Sequence, residues 1–245
     1  YKRQAITAGA RGKKGSSPTP TAPKGPLLSF SSRITGRIFP GMSMIVGMNN
    51  ANVDQFKEEV SGGMDIFASC GHHSPLENIS GVIASNENLS KINFEYAEGF
   101  MQGYFQIRSD AILQRSPDEP FYYPVTGVTD SFVQNTHFTL HSYEKRFKSE
   151  AGVWNELLTN SSTVIIDNMA GATQNYGPGG YFVATTGDTI EIVERDGTIR
   201  QKRVIGVLDS ILLNGLLIND RALQNEMNIT GHTMFLFKLA PGEDV

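Results

Sequence analysis

Two extended segments separated by Asp196-Gly197 constrain the fold of this chain more than any other feature. Apolar and polar residues alternate from Thr189 to Glu194, and a second extended segment runs from Thr198 to Val207. Asp-Gly is a preferred pair for a tight hairpin turn, because such a turn needs positive φ angles that glycine adopts freely. The sequence therefore predicts a β-hairpin over residues 189–207, and with it an antiparallel sheet in the second half of the chain.

Other segments predict a mixture of strands and short helices. Further strands are predicted over residues 64–69, 92–97, 103–107, 125–128, 163–167, 216–218 and 233–239, and helices over residues 44–60, 75–84, 149–160 and 220–227. The strands at 92–97 and 103–107 are expected to pair with each other, and Gly62-Gly63 is expected to end the first helix. Residues 163–167 are apolar and mostly β-branched, which is typical of a strand buried on both faces.

Two long loops are predicted from composition, a proline-rich one at residues 116–124 and a glycine-rich one at residues 171–180. Strands outnumber helices, and the two types are mixed along the chain. This order favours an α+β fold with two subdomains.

Positive charge is concentrated at the start of the chain. Residues 1–37 hold eight of the 21 Lys and Arg residues and no acid, so the rest of the chain, with all 25 acids, has a balance of −12. That balance excludes a nucleic-acid-binding body. The Gly, Ser, Pro and Thr content of residues 9–26 predicts a disordered segment. It is interpreted either as a basic juxtamembrane segment facing anionic lipid or as a solvated leader or expression remnant.

No motif in the sequence predicts an active site. The loop Gly177–Gly180 lacks the Lys-Ser/Thr of a phosphate-binding loop, and no Gly-x-Ser-x-Gly sequence is present. The acidic pairs Asp118-Glu119 and Glu243-Asp244 stand in a proline-rich loop and near the end of the chain, where solvated charge explains them. The chain therefore predicts no catalytic residue and no bound cofactor.

A metal site is not predicted either. His137 and His141 are four residues apart, but the segment between them favours strand or loop, which would not bring both imidazoles to one helix face. His72-His73 is interpreted as part of a polar loop. Cys70 is the only cysteine, which excludes a disulfide framework and a cysteine-based zinc module.

Two further features bear on location. Asn-x-Ser/Thr sequons at Asn78, Asn88, Asn160 and Asn228 permit glycosylation without demonstrating it. No run reaches the roughly 18–20 apolar residues that a membrane-spanning helix needs. The apolar run at residues 38–48 is broken by Pro40 and Gly41, and we expect it to be the edge of a membrane segment of a longer protein or an ordinary short run.

The order of segments in the second half resembles a known family. The segments that carry the resemblance are Val125–Val128, Phe132, Val153–Leu157, Val164–Asp167, Gly187–Ile192, Arg203–Leu208, Leu217-Ile218 and Phe235–Leu239. They resemble the extracytoplasmic domain of FtsX-like and MacB-like ABC-transporter permeases, in which a G-x-x-I-x-I hairpin strand precedes a V-I-G-V strand. Residues 52–66 of the first half resemble the start of the large loop between that family's first two spans.

The resemblance implies a division of the chain and a role. Residues 42–124 would be an α/β porter-like part, 125–232 an inserted β-rich sabre-like part, and 233–245 a strand returning to the first part. The basic residues 1–37, a disordered leader or juxtamembrane segment, would precede these parts. The domain would be non-catalytic and would lie outside the cytoplasmic membrane. It would be attached through flanking spans, absent here, to a permease driven by a cytoplasmic ATPase subunit. It would couple ATP hydrolysis to substrate export or to an extracellular partner, and its substrate would be an extracellular protein or lipid. The sequence would then be an excised ectodomain.

A free-standing extracellular module that binds glycan or peptide is the alternative. Its binding residues would be the loop aromatics Tyr122, Tyr123, Tyr176 and Tyr181, although ordinary packing explains these residues as well. An enzyme of unfamiliar type is a third interpretation.

Overall fold

A computed structural model describes residues 61–72, 74–108, 120–168, 170, 184–210 and 213–243, together with the backbone of residues 43–46. The predicted glycine-rich loop lies outside the described residues, as do residues 116–119 of the proline-rich loop. The strands within these ranges are β1 Ser43–Val46, β2 Ile66–Ser69, β3 Phe94–Phe100, β4 Gln102–Arg108, β5 Phe121–Val128, β6 Leu140–Tyr143, β7 Thr163–Ile166, β8 Thr189–Val193, β9 Ile199–Leu208, β10 Leu216–Asn219 and β11 Met234–Leu239. The α-helices are α1 Ile79–Ser85, α2 Asp130–Asn135, α3 Glu150–Thr159 and α4 Asp220–Met227.

The strands form two sheets, which confirms the α+β class. The smaller sheet has the order β1-β2-β11-β3, and every neighbouring pair in it is antiparallel. The larger sheet has the order β6-β9-β7-β10-β5-β4-β8.

The larger sheet closes on itself, because β8 also pairs with the first half of β9. Six strands therefore form a barrel, and β6 pairs with the second half of β9 beside it. Closure removes exposed strand edges, which would otherwise be sites for aggregation. The apolar side chains that fill the barrel include Phe105, Ile107, Phe121, Val125, Val164, Ile166, Ile190, Ile192, Val204, Leu216 and Ile218, with Leu223 and Met227 of α4.

A second apolar cluster joins the barrel to the smaller sheet. Its centre is Phe132 of α2, which is fully buried. The Phe132 ring lies 5.3 Å from that of Phe100 in the smaller sheet and 6.0 Å from that of Trp154 on α3. The cluster also contains Ile165 and Leu217 from the outer face of the barrel. The two sheets therefore share one continuous core.

Several predicted elements are confirmed. The hairpin is formed by β8 and β9, and Gly197 in its turn has φ +88°. The predicted helix at 149–160 is α3, which begins after Ser149, whose hydroxyl accepts a hydrogen bond from Gly152 N. All four residues of β7 are buried. The predicted strands at 64–69, 216–218 and 233–239 correspond to β2, β10 and β11, and the predicted helix at 220–227 is α4.

Two predictions are wrong. Residues 43–46 form β1, so the predicted helix does not begin at Met44, and residues 47–60 lie outside the described residues. The segments at 92–97 and 103–107 are strands, but they do not pair: β3 pairs with β11, and β4 pairs with β5 and β8. Both strands are longer than predicted, so only Met101 separates them, and one residue is too few for a hairpin turn.

Two boundaries also differ from the sequence prediction. The helix predicted from residue 75 begins at Ile79, because the Asn78 side chain caps α1 by accepting a hydrogen bond from Gly81 N. Residues 121–124 belong to β5 rather than to a loop. The division of the chain between residues 124 and 125 stays a prediction; in the structure β4 and the whole of β5 lie in the larger sheet, and β11 lies in the smaller one.

Candidate interaction surface

The exposed large apolar side chains of the described residues lie together on the outer face of the barrel. They are Tyr104 at 57% exposure, Tyr122 at 58% and Ile199 at 44%. Strand alternation explains the position of Tyr104. Its neighbours Phe105 and Ile107 point into the barrel and are each 2% exposed, so Tyr104 points outwards.

Strand register aligns this surface across four strands. Tyr122 of β5 lies opposite Gln106 of β4, Gln106 lies opposite Val193 of β8, and Val193 lies opposite Ile199 of β9. Tyr104 precedes Gln106 by two residues in β4, so the two side chains lie on the same outward face. We call Tyr104, Gln106, Tyr122, Val193 and Ile199 the tyrosine face.

Two grooves lie on either side of Tyr104. One, of about 480 Å³, is lined by the two exposed tyrosines together with Arg108, Glu194 and Arg195. The other, of about 420 Å³, is lined by residues that include His72, Tyr104, Arg195 and Thr230. The His72 ring meets the Tyr104 ring edge-on, with the ring centroids 5.3 Å apart. Tyr104 and Arg195 therefore belong to both grooves.

The groove lined by both tyrosines carries two arginines and one glutamate, and Glu191 of β8, outside that lining, lies opposite Arg108 in the strand register. Arg108 and Arg195 are exposed, and neither forms an ion pair with another described residue. The carboxylate of Glu194 is occupied, because Arg200 Nε lies 2.5 Å from it. In the hairpin turn, Asp196 accepts a hydrogen bond from Thr198 N at 2.9 Å, and this bond lowers the pKa of Asp196.

The buried polar groups of the barrel have structural partners. Tyr123 Oη donates to Asp167 Oδ2 at 2.7 Å, and Asp167 also accepts from Ala170 N and Gly215 N. Burial raises the pKa of Tyr123, and the Asp167 carboxylate adds to the effect. The phenol hydrogen of Tyr123 is already donated to Asp167, which directly follows β7. Tyr123 therefore connects β5 to the end of β7, and this is a structural role.

A buried ion pair connects β9 to α4. Lys202 is 2% exposed, and its Nζ donates to Glu226 Oε2 of α4 at 2.9 Å and to Ser161 O at 2.5 Å. The Glu226 side chain is 22% exposed. The pair joins α4 to the barrel. Because the lysine is almost completely buried, the pair is a structural contact.

A third charged group lies between β6 and β9. Glu144 is buried, and it accepts at 2.6 Å from Arg146 Nε and at 2.6 Å from Arg203 Nε. Both arginines are about half exposed. This arrangement satisfies a buried carboxylate with two charged donors.

The structure describes Cys70, His72, His137 and His141, and His73 lies outside the described residues. His137 and His141 are both exposed, and His141 lies in β6, so the residues do not share a helix face. No group of three or more His, Cys, Asp or Glu side chains among the described residues is placed to hold a metal ion. Cys70 is partly buried, which raises the pKa of its thiol.

The candidate binding aromatics were predicted to lie in loops, and this prediction is wrong for two of them. Tyr122 and Tyr123 lie in β5, with Tyr122 exposed and Tyr123 packed against the barrel core, while Tyr176 and Tyr181 lie outside the described residues. Tyr104, Arg108 and Arg195 were not identified from the sequence. The alternation in residues 103–107 was the available signal for Tyr104.

No described helix is both long and apolar enough to span a membrane.

No family model matches the chain, and no curated protein matches its sequence. The chain is similar to the crystal structure of the periplasmic region of MacB from Actinobacillus actinomycetemcomitans, with 13% identity, a TM-score of 0.41, and coverage of 87% of this chain and 82% of that one.

Two further solved structures are similar to it. One is the extracellular domain of the noncanonic ABC-type transporter YknZ from Gram-positive bacteria, with 10% identity, a TM-score of 0.39, and coverage of 66% of this chain and 71% of that one. The other is a domain of a protein described as a permease from Porphyromonas gingivalis, with 11% identity, a TM-score of 0.40, and coverage of 70% of this chain and 65% of that one.

Proposed function

We propose that the chain is the extracytoplasmic domain of an ABC-transporter permease. In this proposal the domain is not an enzyme, and ATP is hydrolysed by a separate cytoplasmic subunit or domain. The domain transmits the resulting motion to a transported substrate or to an extracellular partner. Its location is the outer side of the cytoplasmic membrane, where flanking membrane spans of the parent protein would hold it.

The observation that carries the proposal is the return of the chain to its starting sheet. After the whole barrel has been formed, β11 inserts between β2 and β3. Asp65 N donates to Phe237 O at 2.9 Å, and Leu239 N donates to Asp65 Oδ2 at 2.8 Å. The first and last parts of the fold are thus held side by side, an arrangement that suits a domain inserted between two membrane segments.

The shared core supports a role in transmitting motion. A displacement at the smaller sheet reaches the barrel only if the two move as one body. Phe132 and its ring contacts to Phe100 and Trp154 fill the space between the two sheets without exposed surface. Because packed interiors are dense and resist compression, such a connection is stiff.

The parent reading frame provides the first test of the proposal. We expect one apolar run of about twenty residues before Ser43 and further runs after Val245, together with an ATPase gene nearby. A reading frame that encodes no membrane span on either side would refute the permease assignment.

Coupling to ATP hydrolysis needs a separate test, by amide hydrogen exchange of the whole transporter with and without nucleotide. We expect nucleotide to change exchange in peptides that cover residues 61–70 and 234–243, which contain β2 and β11 of the smaller sheet. The matched control is the peptide that covers β7, which is buried in the barrel and should not respond. An unchanged exchange pattern at both flanks would contradict coupling while leaving the membrane assignment in place.

The second candidate is a free-standing extracellular binding module, and the tyrosine face is the observation that favours it. Two tyrosines that are more than half exposed on one sheet face are typical of a recognition surface. The two candidates differ in the parent reading frame, which would encode no span for a free-standing module. A ligand of such a module would raise its melting temperature, since binding to the native state alone stabilises it.

A further inference from the structure

We propose that the tyrosine face, together with Arg108 and Arg195, is the docking site for a protein partner that presents acidic side chains beside apolar ones. Three properties of the surface support this inference: its apolar content, its charge and its shape. The inference rests on the proposed function only in placing that partner outside the cytoplasm. Binding itself is a property of the chain alone.

The first property is exposed aromatic area on a rigid support. Tyrosine and arginine are among the residues that contribute most binding energy at protein interfaces. Tyr104 and Tyr122 project from strands in which the adjacent residues, Phe105 after Tyr104 and Phe121 before Tyr122, are packed in the barrel core. A partner therefore meets side chains whose backbone is already ordered, and the entropy cost of binding is reduced.

The second property is a positive excess in the groove lining, on a body that is acidic overall. Arg108 and Arg195 line the groove beside the tyrosine face without an ion pair to any described residue, and the one glutamate lining that groove is neutralised by Arg200. After residue 37 the chain carries a balance of −12. A local positive site on such a chain repels basic partners and favours carboxylates, which sets specificity and speeds association.

The third property is an open, extended shape. The face crosses four strands, which corresponds to a width of about 14 Å at the usual spacing between strands. The two grooves lie on either side of Tyr104, and their residues come from the barrel face, the hairpin turn and the loop after α4. Small-molecule pockets enclose most of the ligand surface, whereas this surface would receive a segment of polypeptide laid across it.

The test is a selection of random peptides displayed on phage against the purified 245-residue chain. We expect the recovered peptides to be rich in Asp and Glu beside apolar residues. The same selection is made against the double variant Arg108→Glu/Arg195→Glu, for which we expect the recovered peptides to change from acidic to basic. The matched control is Lys145→Glu/Lys148→Glu, which changes the net charge equally at exposed positions outside both grooves.

Affinities of one recovered acidic peptide then distinguish the contributions. We expect Kd to rise about tenfold or more in Arg108→Glu/Arg195→Glu and in Tyr104→Ala/Tyr122→Ala, since hot-spot side chains typically exceed that effect. The lysine control should change Kd by less than about twofold. Thermal unfolding of each variant shows that it is folded, and the single variant Arg195→Ala replaces the double variant if the latter unfolds.

Several results would overturn the proposal. They are a selection that yields no binder, peptides without an acidic bias, a preference that survives the arginine reversal, or an equal loss in the lysine control. None of these results bears on the membrane spans of the parent reading frame. A failure here therefore leaves the permease assignment standing, and an absence of spans leaves this docking site standing.

Discussion

The buried ion pair between Lys202 and Glu226 leads to an asymmetric prediction. The Lys202 side chain is 2% exposed, whereas that of Glu226 is 22% exposed. Replacing Glu226 with Gln leaves an ammonium group buried with only the Ser161 carbonyl and an amide oxygen as acceptors. Replacing Lys202 with Met removes the buried charge and leaves a carboxylate that water can reach. The two variants should therefore differ strongly in stability.

The magnitudes follow from burial. Removing one partner of a buried ion pair costs about 3–5 kcal/mol when the other charge is left without compensation. We expect Glu226→Gln to lower the free energy of unfolding by about 3 kcal/mol, near the bottom of that range, because two neutral acceptors remain. We expect Lys202→Met to lower it by about 1 kcal/mol or less, since Met fills a similar volume and the remaining carboxylate is partly hydrated. The double variant should be more stable than Glu226→Gln alone.

Thermal unfolding followed by circular dichroism measures these differences. For a chain of this size, each kcal/mol shifts Tm by about 2–4 °C, so Glu226→Gln should lower Tm by about 6–12 °C and Lys202→Met by less than about 4 °C. The control is Glu87→Gln, which breaks an exposed pair with Lys91 and should have almost no effect. Equal losses in the two barrel variants, or a larger loss for Lys202→Met, would refute the reasoning from burial.

Three further predictions follow from the fold. Gly215→Ala should lower the free energy of unfolding, measured by urea titration, by about 2 kcal/mol or more, because φ is +107° and an added Cβ would lie 2.6 Å from the Pro124 carbonyl oxygen. The control is Gly197→Ala, whose added Cβ would meet nothing within 4 Å and which should therefore cost less. Phe132→Ala should cost about 3–5 kcal/mol in that assay, and a loss below about 1 kcal/mol would contradict its central place in the shared core. Burial raises the pKa of Tyr123 above its ordinary value of 10.0, so the stability that the neutral phenol contributes is present below pH 10 and is lost as the pH rises further. Tyr123→Phe should therefore lose less stability than the wild type above pH 10. Parallel curves of unfolding free energy against pH for the two proteins would contradict this.

Local signals in the sequence predicted the elements that depend on local chemistry. The hairpin follows from Asp196-Gly197, and α3 follows from its Ser149 cap and its spaced apolar residues. The pairing of β3 with β11 could not be predicted in this way, because the partners are more than 130 residues apart and nothing local identifies them. Closure of the barrel depends on the same kind of distant pairing.

The candidate surface was predictable only in part. Alternation along residues 103–107 places Tyr104 and Gln106 on one face, but Tyr122 was assigned to a loop because Pro120 and Pro124 stand beside it. Pro124 is tolerated within β5 because pairing with β10 begins only at Val125. The burial of Lys202 was not predictable either, since a lysine in a strand ordinarily indicates a solvated face.

The most direct test of the central claim is the location of the domain in intact cells that express the parent protein. Cys70 is replaced by Ser, and Lys148, an exposed residue outside the tyrosine face, is replaced by Cys. We expect a membrane-impermeant maleimide to label this cysteine equally in intact and lysed cells, while a cysteine in the cytoplasmic ATPase subunit is labelled only after lysis. Labelling at position 148 only after lysis would contradict an extracytoplasmic domain.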